Sequence, residues 1–411
     1  MVFRMNTDGT DFTNLHNFAV VGSFFTNNGG AYPSGALLLL SNTLYGLTLY
    51  GGPGGYGTVY ALDTGGMNFT NLHNFSALQG IGTNSDGAKP QDRLILDSNV
   101  LYGAAPDGGT FGGGTLFSIS INGTGFTNFY SFTTSGGYGP VGGVIFSGNN
   151  LYGVASQGYD SSKFRSGSGT VFAINTNGTG FTNLYTFNAN TPVGNSDGAS
   201  PQDHLILSGN ILYGTTEEGG SSGEGTIFRI NTNGGNYAIL HSFNGTDGKN
   251  PLQGLWLLNN VLYGTTVSGG SAGNGTVFKF NLGNSNLITL HSFTAVSGSK
   301  STNSDGIMPY ADLVSGSNVL YGVATAGGFA GYGTAFVITL PTSPPLAITS
   351  LGSNVLLTWP TNAIGFTLQS ATSFAPPSVW GNVSPAPVVV SGQNTVTNPA
   401  SGNQVFYRLS Q

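Results

Sequence analysis

Four of the five histidines in this chain lie at the same place in a recurring tetrapeptide, Leu-His-Asn-Phe or Leu-His-Ser-Phe: His16, His73, His241 and His291. Imidazole binds metals and transfers protons near neutral pH, so a shared site would be chemically capable. Two further copies of the tetrapeptide carry tyrosine instead, and equivalent places in different copies of a repeat are expected to lie far apart. The pattern therefore favours a structural role for these histidines, and we expect the same of His204, which lies outside it.

Four aspartates recur in Ser/Thr-Asp-Gly triplets: Asp86, Asp197, Asp247 and Asp305. An aspartate followed by glycine is typical of a tight turn, because the carboxylate accepts hydrogen bonds from nearby backbone N–H groups. Calcium is the alternative, since it prefers carboxylate and carbonyl oxygens in loops. The sequence lacks the spaced acids of an EF-hand loop, so the triplets favour turns and leave calcium as the weaker hypothesis.

Glu217, Glu218 and Glu224 form the one acidic cluster of the sequence. A pair of carboxylates can cleave a glycosidic bond by acid–base chemistry. Adjacent residues on a strand point to opposite sides, so Glu217 and Glu218 are expected to lie apart in a solvated loop, as ligand-binding candidates at most. With so few charged side chains, we expect no two carboxylates to share a pocket with strongly raised pKa values, the usual mark of an acid–base site. The sequence thus predicts no catalytic residue and no enzyme.

Composition narrows the classes of protein further. Only 6% of the residues are charged, the net charge is −6, and the ten lysines and arginines form no basic stripe, which argues against nucleic-acid binding. The longest apolar run, around residues 36–40, is far shorter than the ~20 residues of a membrane-spanning helix. The lack of cysteine excludes disulfides and thiolate metal sites, and neither a cofactor nor a metal ion is predicted.

The histidines, aspartates and glutamates named above all belong to copies of one repeating unit. Leu-Tyr-Gly occurs six times with a proline eleven residues before each copy, and a Gly-Thr pair follows thirteen residues after five copies and eighteen after the other. The tetrapeptide lies fifteen residues beyond each of the first five Gly-Thr glycines. We divide the unit into predicted strand A after the proline, B from Leu-Tyr-Gly, C from Gly-Thr, and D ending in the tetrapeptide. Asn-Gly pairs between C and D, as at Asn122-Gly123, are the strongest short signal for a β-hairpin.

Six units of four antiparallel strands without a helical pattern favour a β-propeller, because sheets with two apolar faces can bury both by closing into a ring. A parallel β-solenoid is the alternative, and the hairpins argue against it. We predict an all-β chain with a six-bladed propeller over residues 1–340, a Pro-rich linker over 341–345 and a small β-sandwich-like domain over 346–411. The chain opens inside a unit, which suggests a processed or trimmed precursor, and its first D strand, Phe12–Phe18, is expected to complete the last sheet.

The repeated pattern resembles the bacterial tandem repeat family called GloVer. The segment LYGTTVSGGSAGNGTVFKF, Leu262–Phe280, is a long and specific match, and the resemblance covers nearly all of residues 1–340. The Gly-Gly pairs after strand B, as at Gly219-Gly220, also resemble kelch repeats, which implies a kelch-like propeller. The C-terminal region, with LTWP at Leu357–Pro360, resembles a module common on secreted bacterial repeat proteins. The family implies an extracellular or cell-surface location and brings no defined activity.

Length varies only in the D-to-A and B-to-C connections, which leave the same end of an up-and-down sheet. One B-to-C insertion carries Tyr159, Phe164 and Arg165, side chains that can stack on a sugar or anchor a protein contact. A flexible loop is the alternative interpretation. We expect a secreted or surface-associated, non-catalytic binding or adhesion protein for a glycan or a surface protein. The alternatives are an extracellular structural subunit that self-assembles, and a polysaccharide hydrolase or lyase with acids on the loop face.

Overall fold

The computed structural model describes residues 1–133, 137–156, 168–188, 195–298, 301–316, 318–340, 344–361, 366–373, 379–400 and 404–410. Over these residues the chain is all-β, with one short 3-10 turn at Ser23–Phe25. It divides into two compact units: residues 1–315 with 321–338 form the first, and residues 316–320 with 339–411 form the second. No helix among the described residues is long and apolar enough to cross a membrane.

The N-terminal segment forms a hairpin of its own. Strands β1 (Val2–Arg4) and β2 (Thr13–His16) pair antiparallel in a two-stranded sheet. The expectation that Phe12–Phe18 completes the last sheet is therefore wrong, because β2 pairs with the strand that immediately precedes it in the chain. Val2 and Leu15 of the hairpin pack against Tyr60 and Leu62 of the first repeat unit.

Six four-stranded antiparallel sheets follow, one for each Leu-Tyr-Gly copy, and we number them repeat sheets 1 to 6. Sheet 1 contains β3 (Ala31–Leu40), β4 (Thr43–Tyr50), β5 (Thr58–Asp63) and β6 (Thr70–Asn74). Sheet 2 contains β7 (Ile95–Asp97), β8 (Val100–Ala105), β9 (Thr115–Ser120) and β10 (Thr127–Ser131). Sheet 3 contains β11 (Pro140–Ser147), β12 (Asn150–Ala155), β13 (Thr170–Asn175) and β14 (Thr182–Thr186). Sheet 4 contains β15 (Ile206–Ser208), β16 (Ile211–Thr216), β17 (Thr226–Asn231) and β18 (Ala238–Ser242). Sheet 5 contains β19 (Trp256–Leu258), β20 (Val261–Thr266), β21 (Thr276–Asn281) and β22 (Asn286–Ser292). Sheet 6 contains β23 (Ile307–Pro309), β24 (Val314–Ser315), β25 (Val319–Ala326) and β26 (Thr334–Thr339). In sheets 1 to 5 the strands lie side by side in chain order, whereas in sheet 6 β23, β24 and β26 all pair with β25.

The glycine of Leu-Tyr-Gly makes room for an aromatic ring of the same sheet. A Cβ atom built on Gly103 would lie 2.5 Å from Cζ of Phe117 and 2.9 Å from Cδ2 of Leu94. Gly103 and Phe117 are register partners on β8 and β9, and both Leu101 and Phe117 are fully buried. Interiors packed as densely as this one tolerate no added methyl group, so packing explains the recurring motif.

Consecutive repeat units are joined by one recurring backbone hydrogen bond. The residue before each proline donates its N–H to the carbonyl of the residue before the Gly-Thr glycine of the preceding unit, as Lys89 does to Tyr56 at 2.8 Å and Ser200 does to Ser168 at 2.8 Å. Lys89 and Ser200 both have a φ of +54°, a left-handed conformation that few non-glycine residues adopt. The same bond occurs between the other consecutive units: Gly139 to Gly113, Asn250 to Glu224 and Met308 to Asn274.

Apolar side chains fill the space between neighbouring sheets. One core cluster joins sheets 1 and 2: Leu47, Val59, Phe75, Leu101, Phe117 and Ile119. At its edge the ring of His73 stacks on Phe126 of the next sheet, with 3.5 Å between the ring centroids. Tyr185 stacks on Tyr237 in the same way at 3.8 Å. Each sheet is therefore stabilised mainly by its neighbour, as expected of repeat architectures.

The second compact unit contains two antiparallel sheets. One has the order β27-β28-β32-β31 and the other β30-β29-β33, with the strands β27 (Ala347–Leu351), β28 (Asn354–Pro360), β29 (Thr367–Ala371), β30 (Gly381–Asn382), β31 (Val388–Val390), β32 (Gln393–Pro399) and β33 (Phe406–Ser410). Leu357, Trp359, Leu368 and Val396 come from both sheets and form one buried cluster. This unit therefore has its own core.

Candidate functional site

The residues two and three positions after each repeat proline alternate in type along the chain. Repeat sheets 2, 4 and 6 carry ionisable side chains there: Asp92-Arg93, Asp203-His204 and Asp312. Repeat sheets 1, 3 and 5 carry glycine: Gly35, Gly142-Gly143 and Gly254. The ionisable residues meet in one group, which we call the central cluster. The chain has only sixteen acidic and ten basic residues, and the cluster contains four of these: Asp92, Arg93, Asp203 and Asp312. The density of charged side chains is therefore unusually high at this place.

Arg93 connects two other units of the repeat through this cluster. Its Nη2 donates to Nε2 of His204 at 2.7 Å and to Oδ2 of Asp312 at 2.8 Å. Because Nε2 accepts this hydrogen bond, the imidazole carries its proton on Nδ1, which donates to Oδ1 of Asp203. Oδ1 of Asp312 accepts the backbone N–H of Gly254 at 3.1 Å.

The cluster is largely shielded from solvent. The His204 side chain is 4% exposed, and its Nδ1 lies 3.8 Å from Oδ2 of Asp92 and 3.9 Å from Oδ2 of Asp312. Burial, and then the neighbouring charge of Asp203, raises the pKa of Asp92 well above its usual value. Burial and the charge of Asp312 do the same to the pKa of Asp203, while burial lowers the pKa of His204. Withdrawal from water disfavours the ionised form of each of these groups.

Glycines of the odd-numbered sheets let the cluster form. A Cβ atom on Gly35 would lie 1.3 Å from the carbonyl oxygen of Asp92, and one on Gly142 would lie 2.1 Å from the carbonyl carbon of Asp203. A Cβ atom on Gly254 would lie 1.8 Å from Cε1 of His204. The ionisable residues of the even-numbered sheets therefore occupy space that any side chain on these glycines would fill.

The expectation that no two carboxylates share a pocket with strongly raised pKa values is wrong. Asp92 and Asp203 do so, because the fold brings together the segments that follow the repeat prolines in different units. His204, which the sequence favours as structural, belongs to the same cluster. The signal that could have found these residues is the alternation with glycine at a fixed distance from the proline.

The binding candidates chosen from the sequence include two glutamates that the structure describes and three residues that it does not. Tyr159, Phe164 and Arg165 fall outside the described residues. Oε2 of Glu217 accepts a hydrogen bond from Gln202 at 2.7 Å, and the backbone of Glu218 bridges to Ala199. Neither glutamate belongs to the central cluster.

The four recurring aspartates each hold the end of a fourth strand or the segment after it. Asp86 accepts the Nε2–H of His73 at 3.0 Å and the backbone N–H of Ser76 at 3.0 Å. The equivalent ring donors are Tyr185 for Asp197, His241 for Asp247 and His291 for Asp305. These contacts favour the turn-stabilising interpretation over calcium, since at least one carboxylate oxygen of each aspartate already accepts protein donors. Oδ1 of Asp197 is the exception among these oxygens, because it is buried without a hydrogen-bond partner among the described residues.

Comparisons with known proteins agree with this architecture. A model described as the Gloeobacter/Verrucomicrobia repeat matches residues 1–166 and 161–336. No match to the sequence was found among curated proteins. A GH74 xyloglucanase from Xanthomonas campestris is similar in structure at 12% identity, with a TM-score of 0.51, over 87% of this chain and 54% of that one.

Two further solved structures are similar at lower TM-scores. Oligogalacturonate lyase from Vibrio parahaemolyticus has 10% identity and a TM-score of 0.45, over 87% of this chain and 93% of that one. TolB from Acinetobacter baumannii has 11% identity and a TM-score of 0.37, over 86% and 62%. This chain spans about half the length of the xyloglucanase, at 54%, and at 12% identity the likeness to that protein shows a propeller-like fold alone.

Proposed function

Because this chain belongs to the Gloeobacter/Verrucomicrobia repeat family, we propose that its repeat sheets are the blades of a six-bladed, kelch-like β-propeller over residues 1–340, followed by a linker over 341–345 and a small β-sandwich-like domain over 346–411. The recurring hydrogen bond between consecutive units supports a regular rotation from blade to blade. Residues just after all six repeat prolines meet at the central cluster, which supports a common axis.

We propose that the protein is a secreted or surface-associated, non-catalytic binding or adhesion protein, with a glycan or a surface protein as its partner. The observation that carries the proposal is the position of the central cluster. Its residues lie two and three positions after the repeat prolines, directly after the D-to-A connections whose lengths vary. Loops on a rigid scaffold are common sites of binding, and these connections lead directly into a charged group.

Arg93 and Asp312 are the members of the cluster that a ligand can reach most easily. Their side chains are 29% and 18% exposed, whereas that of His204 is 4% exposed. A guanidinium donates several hydrogen bonds in one plane and a carboxylate accepts them, which suits the hydroxyl groups of a sugar. The insertion with Tyr159, Phe164 and Arg165 would supply a second contact on the same face.

Catalysis on a polysaccharide is the second candidate function. It is favoured by the central cluster itself, in which ligand atoms of three carboxylates and one imidazole lie within 4.8 Å of one another. A hydrolase or lyase requires an acid and a base on either side of the scissile bond, and this cluster contains both types of group.

Self-association is a third candidate, favoured by two exposed rings near the last repeat strand. Phe329 is 88% exposed and Tyr332 is 91% exposed. Exposed aromatic side chains are common at interfaces between copies.

A glycan array with the full chain tests the binding proposal. We expect retention of at least one glycan class by the parent protein, and at least a tenfold loss of affinity for it in Asp312→Asn and in a variant that lacks residues 159–165. Glu224→Gln is the matched control, because Glu224 forms an ion pair with Lys249 outside the cluster. Release of reducing or unsaturated sugar ends from the same glycans would instead support catalysis, and unchanged binding by Asp312→Asn would contradict the proposed site.

A further inference from the structure

We propose that Asp92, Asp203, His204 and Asp312 bind one divalent first-row transition metal ion, Zn²⁺ or Mn²⁺, at the central cluster. The inference rests on the same site as the proposed binding function and adds an ion to it. A bound ion would fix the cluster and present Asp312 to a ligand on the loop face.

The ligand atoms are already close enough to share an ion. One ligand atom from each of the four residues lies within 4.8 Å of the others. Nδ1 of His204 lies 3.8 Å from Oδ2 of Asp92 and 3.9 Å from Oδ2 of Asp312, and it contacts Oδ1 of Asp203 directly. Ligands at roughly 2.0–2.2 Å from an ion are about 3.3–4.4 Å apart. The separations from Nδ1 of His204 to Asp92 and Asp312 already fall in this range, whereas its contact with Asp203 would have to lengthen to admit the ion.

Asp92 supplies evidence that does not depend on this clustering. Its side chain is 11% exposed, and its Oδ2 is buried without a hydrogen-bond partner among the described residues. A buried carboxylate oxygen that accepts no hydrogen bond is unfavourable, and a cation removes that cost. This oxygen faces the cluster, since it lies 3.8 Å from Nδ1 of His204.

The cluster has fewer positive charges than are needed to balance its carboxylates. Three carboxylates face one guanidinium, Arg93, which forms an ion pair with Asp312. If all three carboxylates are ionised, two negative charges are uncompensated in a site that excludes most of the solvent. A divalent cation balances them and lets all three carboxylates remain ionised.

The ligand types select the class of ion. Three carboxylate oxygens and one imidazole nitrogen suit Zn²⁺ in a four-coordinate site or Mn²⁺ with added water. Ca²⁺ prefers six to eight oxygen ligands and does not favour imidazole. We therefore expect Ca²⁺ to bind this cluster more weakly than Zn²⁺ or Mn²⁺.

Arg93 would compete with the ion. An ion on Nδ1 of His204 leaves the imidazole proton on Nε2, which then cannot accept from Nη2 of Arg93 at 2.7 Å. Arg93→Gln removes both this clash and a positive charge, and the glutamine oxygen can accept the Nε2–H. We expect this variant to bind Zn²⁺ several-fold more tightly than the parent, and weaker binding would contradict Nδ1 as the ligand atom.

Isothermal titration of the chelator-treated full chain with ZnCl2, MnCl2 and CaCl2 tests the proposal. We expect one Zn²⁺ or Mn²⁺ per chain, at least tenfold weaker Ca²⁺ binding, and a higher unfolding temperature with the preferred ion. Asp203→Asn should reduce affinity at least tenfold, and Glu224→Gln should leave it unchanged.

Circular dichroism shows whether Asp203→Asn folds, and Asp312→Asn, which changes a more exposed ligand, is the second variant. The proposal is overturned if the parent binds neither Zn²⁺ nor Mn²⁺. It is also overturned if every one of the two variants, Asp203→Asn and Asp312→Asn, that folds binds the ion with the same affinity as the parent. Either result leaves the glycan array as a separate test, because the array measures retention of a glycan by the parent and its Asp312→Asn variant without added metal.

Discussion

At the scale of single residues, the position of His204 depends on the absence of one methyl group. A Cβ atom on Gly254 would lie 1.8 Å from Cε1 of His204, so the imidazole must move if Gly254 becomes alanine. We expect Gly254→Ala to lower the free energy of unfolding by about 1–3 kcal/mol, as overpacking does. Urea denaturation followed by circular dichroism measures the change. Gly29→Ala is the control, since its Cβ would meet nothing nearer than Phe69 Cε1 at 3.8 Å, and an equal loss in both variants would contradict the packing argument.

The contact between His73 and Asp86 predicts how stability changes with pH. Burial raises the pKa of Asp86, but the hydrogen bonds from His73 and Ser76 outweigh it and hold the pKa below its usual value. A carboxyl whose pKa is lower in the folded state stabilises the fold above its unfolded pKa, about 3.9, and loses that contribution as the pH falls through the folded value.

We therefore expect Asp86→Asn to cost about 1.5–3 kcal/mol at pH 7, the range for hydrogen bonds to charged groups, and much less near pH 2. Urea unfolding at both pH values measures the difference. Asp97→Asn is the control, because Asp97 is exposed at the end of its strand. A cost for Asp86→Asn that stays constant with pH would show that the carboxylate charge is not what stabilises this turn.

At the scale of strands and sheets, the stack between neighbouring units predicts a graded loss of stability. The ring of Phe126 lies 3.5 Å from the ring of His73 and also stacks on Phe117, with 5.5 Å between centroids. We expect Phe126→Ala to cost about 2–3 kcal/mol and Phe126→Leu about 1 kcal/mol, because leucine keeps most of the apolar contact. The chain provides the precedent, since Leu287 occupies the equivalent place in a later unit. Equal costs, measured by urea denaturation, would mean that the aromatic contact contributes nothing specific.

Local patterns predict these strands well. The Asn122-Gly123 turn joins β9 to β10 as the sequence indicates, with Gly123 N–H donating to Ser120 at 2.8 Å. In the C-terminal region the three valines of Val388–Val390 form an apolar run that coincides with β31, whereas β27, β30 and β32 carry a weaker apolar pattern. The central cluster could not be predicted from local pattern, because Asp92 and Asp312 are 220 residues apart in sequence and meet only through the arrangement of whole sheets.

The pairing of the N-terminal hairpin shows the same limit. Two segments resemble predicted strand C of the repeat, namely Val2–Arg4 and Thr334–Thr339. Either of them could pair with the first D strand, Thr13–His16. Sequence similarity cannot choose between two equivalent partners. The structure selects the nearer one, whose hairpin needs only a short connection and therefore a small loss of chain entropy.

At the scale of the whole molecule, the division into two compact units predicts two unfolding transitions. Two of the three tryptophans, Trp359 and Trp380, belong to the second unit, and Trp359 is buried in its core. We expect the transition followed by tryptophan fluorescence to differ in midpoint from the one followed by far-ultraviolet circular dichroism, which reports mostly the repeat sheets. Trp256→Phe should leave the fluorescence midpoint unchanged, because Trp256 belongs to the first unit. Coincident midpoints would show that the two units unfold together.

The alternation of glycine and ionisable residues has a consequence for how such a chain can evolve. Gly35, Gly142 and Gly254 each leave space that Asp92, Asp203 or His204 of an adjacent unit fills. Duplication or loss of a single unit would set two ionisable starts, or two glycine starts, side by side and leave charges crowded or a void unfilled. A gain or loss of two units keeps the alternation. Lineages that retain the central cluster are therefore expected to differ in repeat number by even steps, although every unit looks interchangeable in its strands.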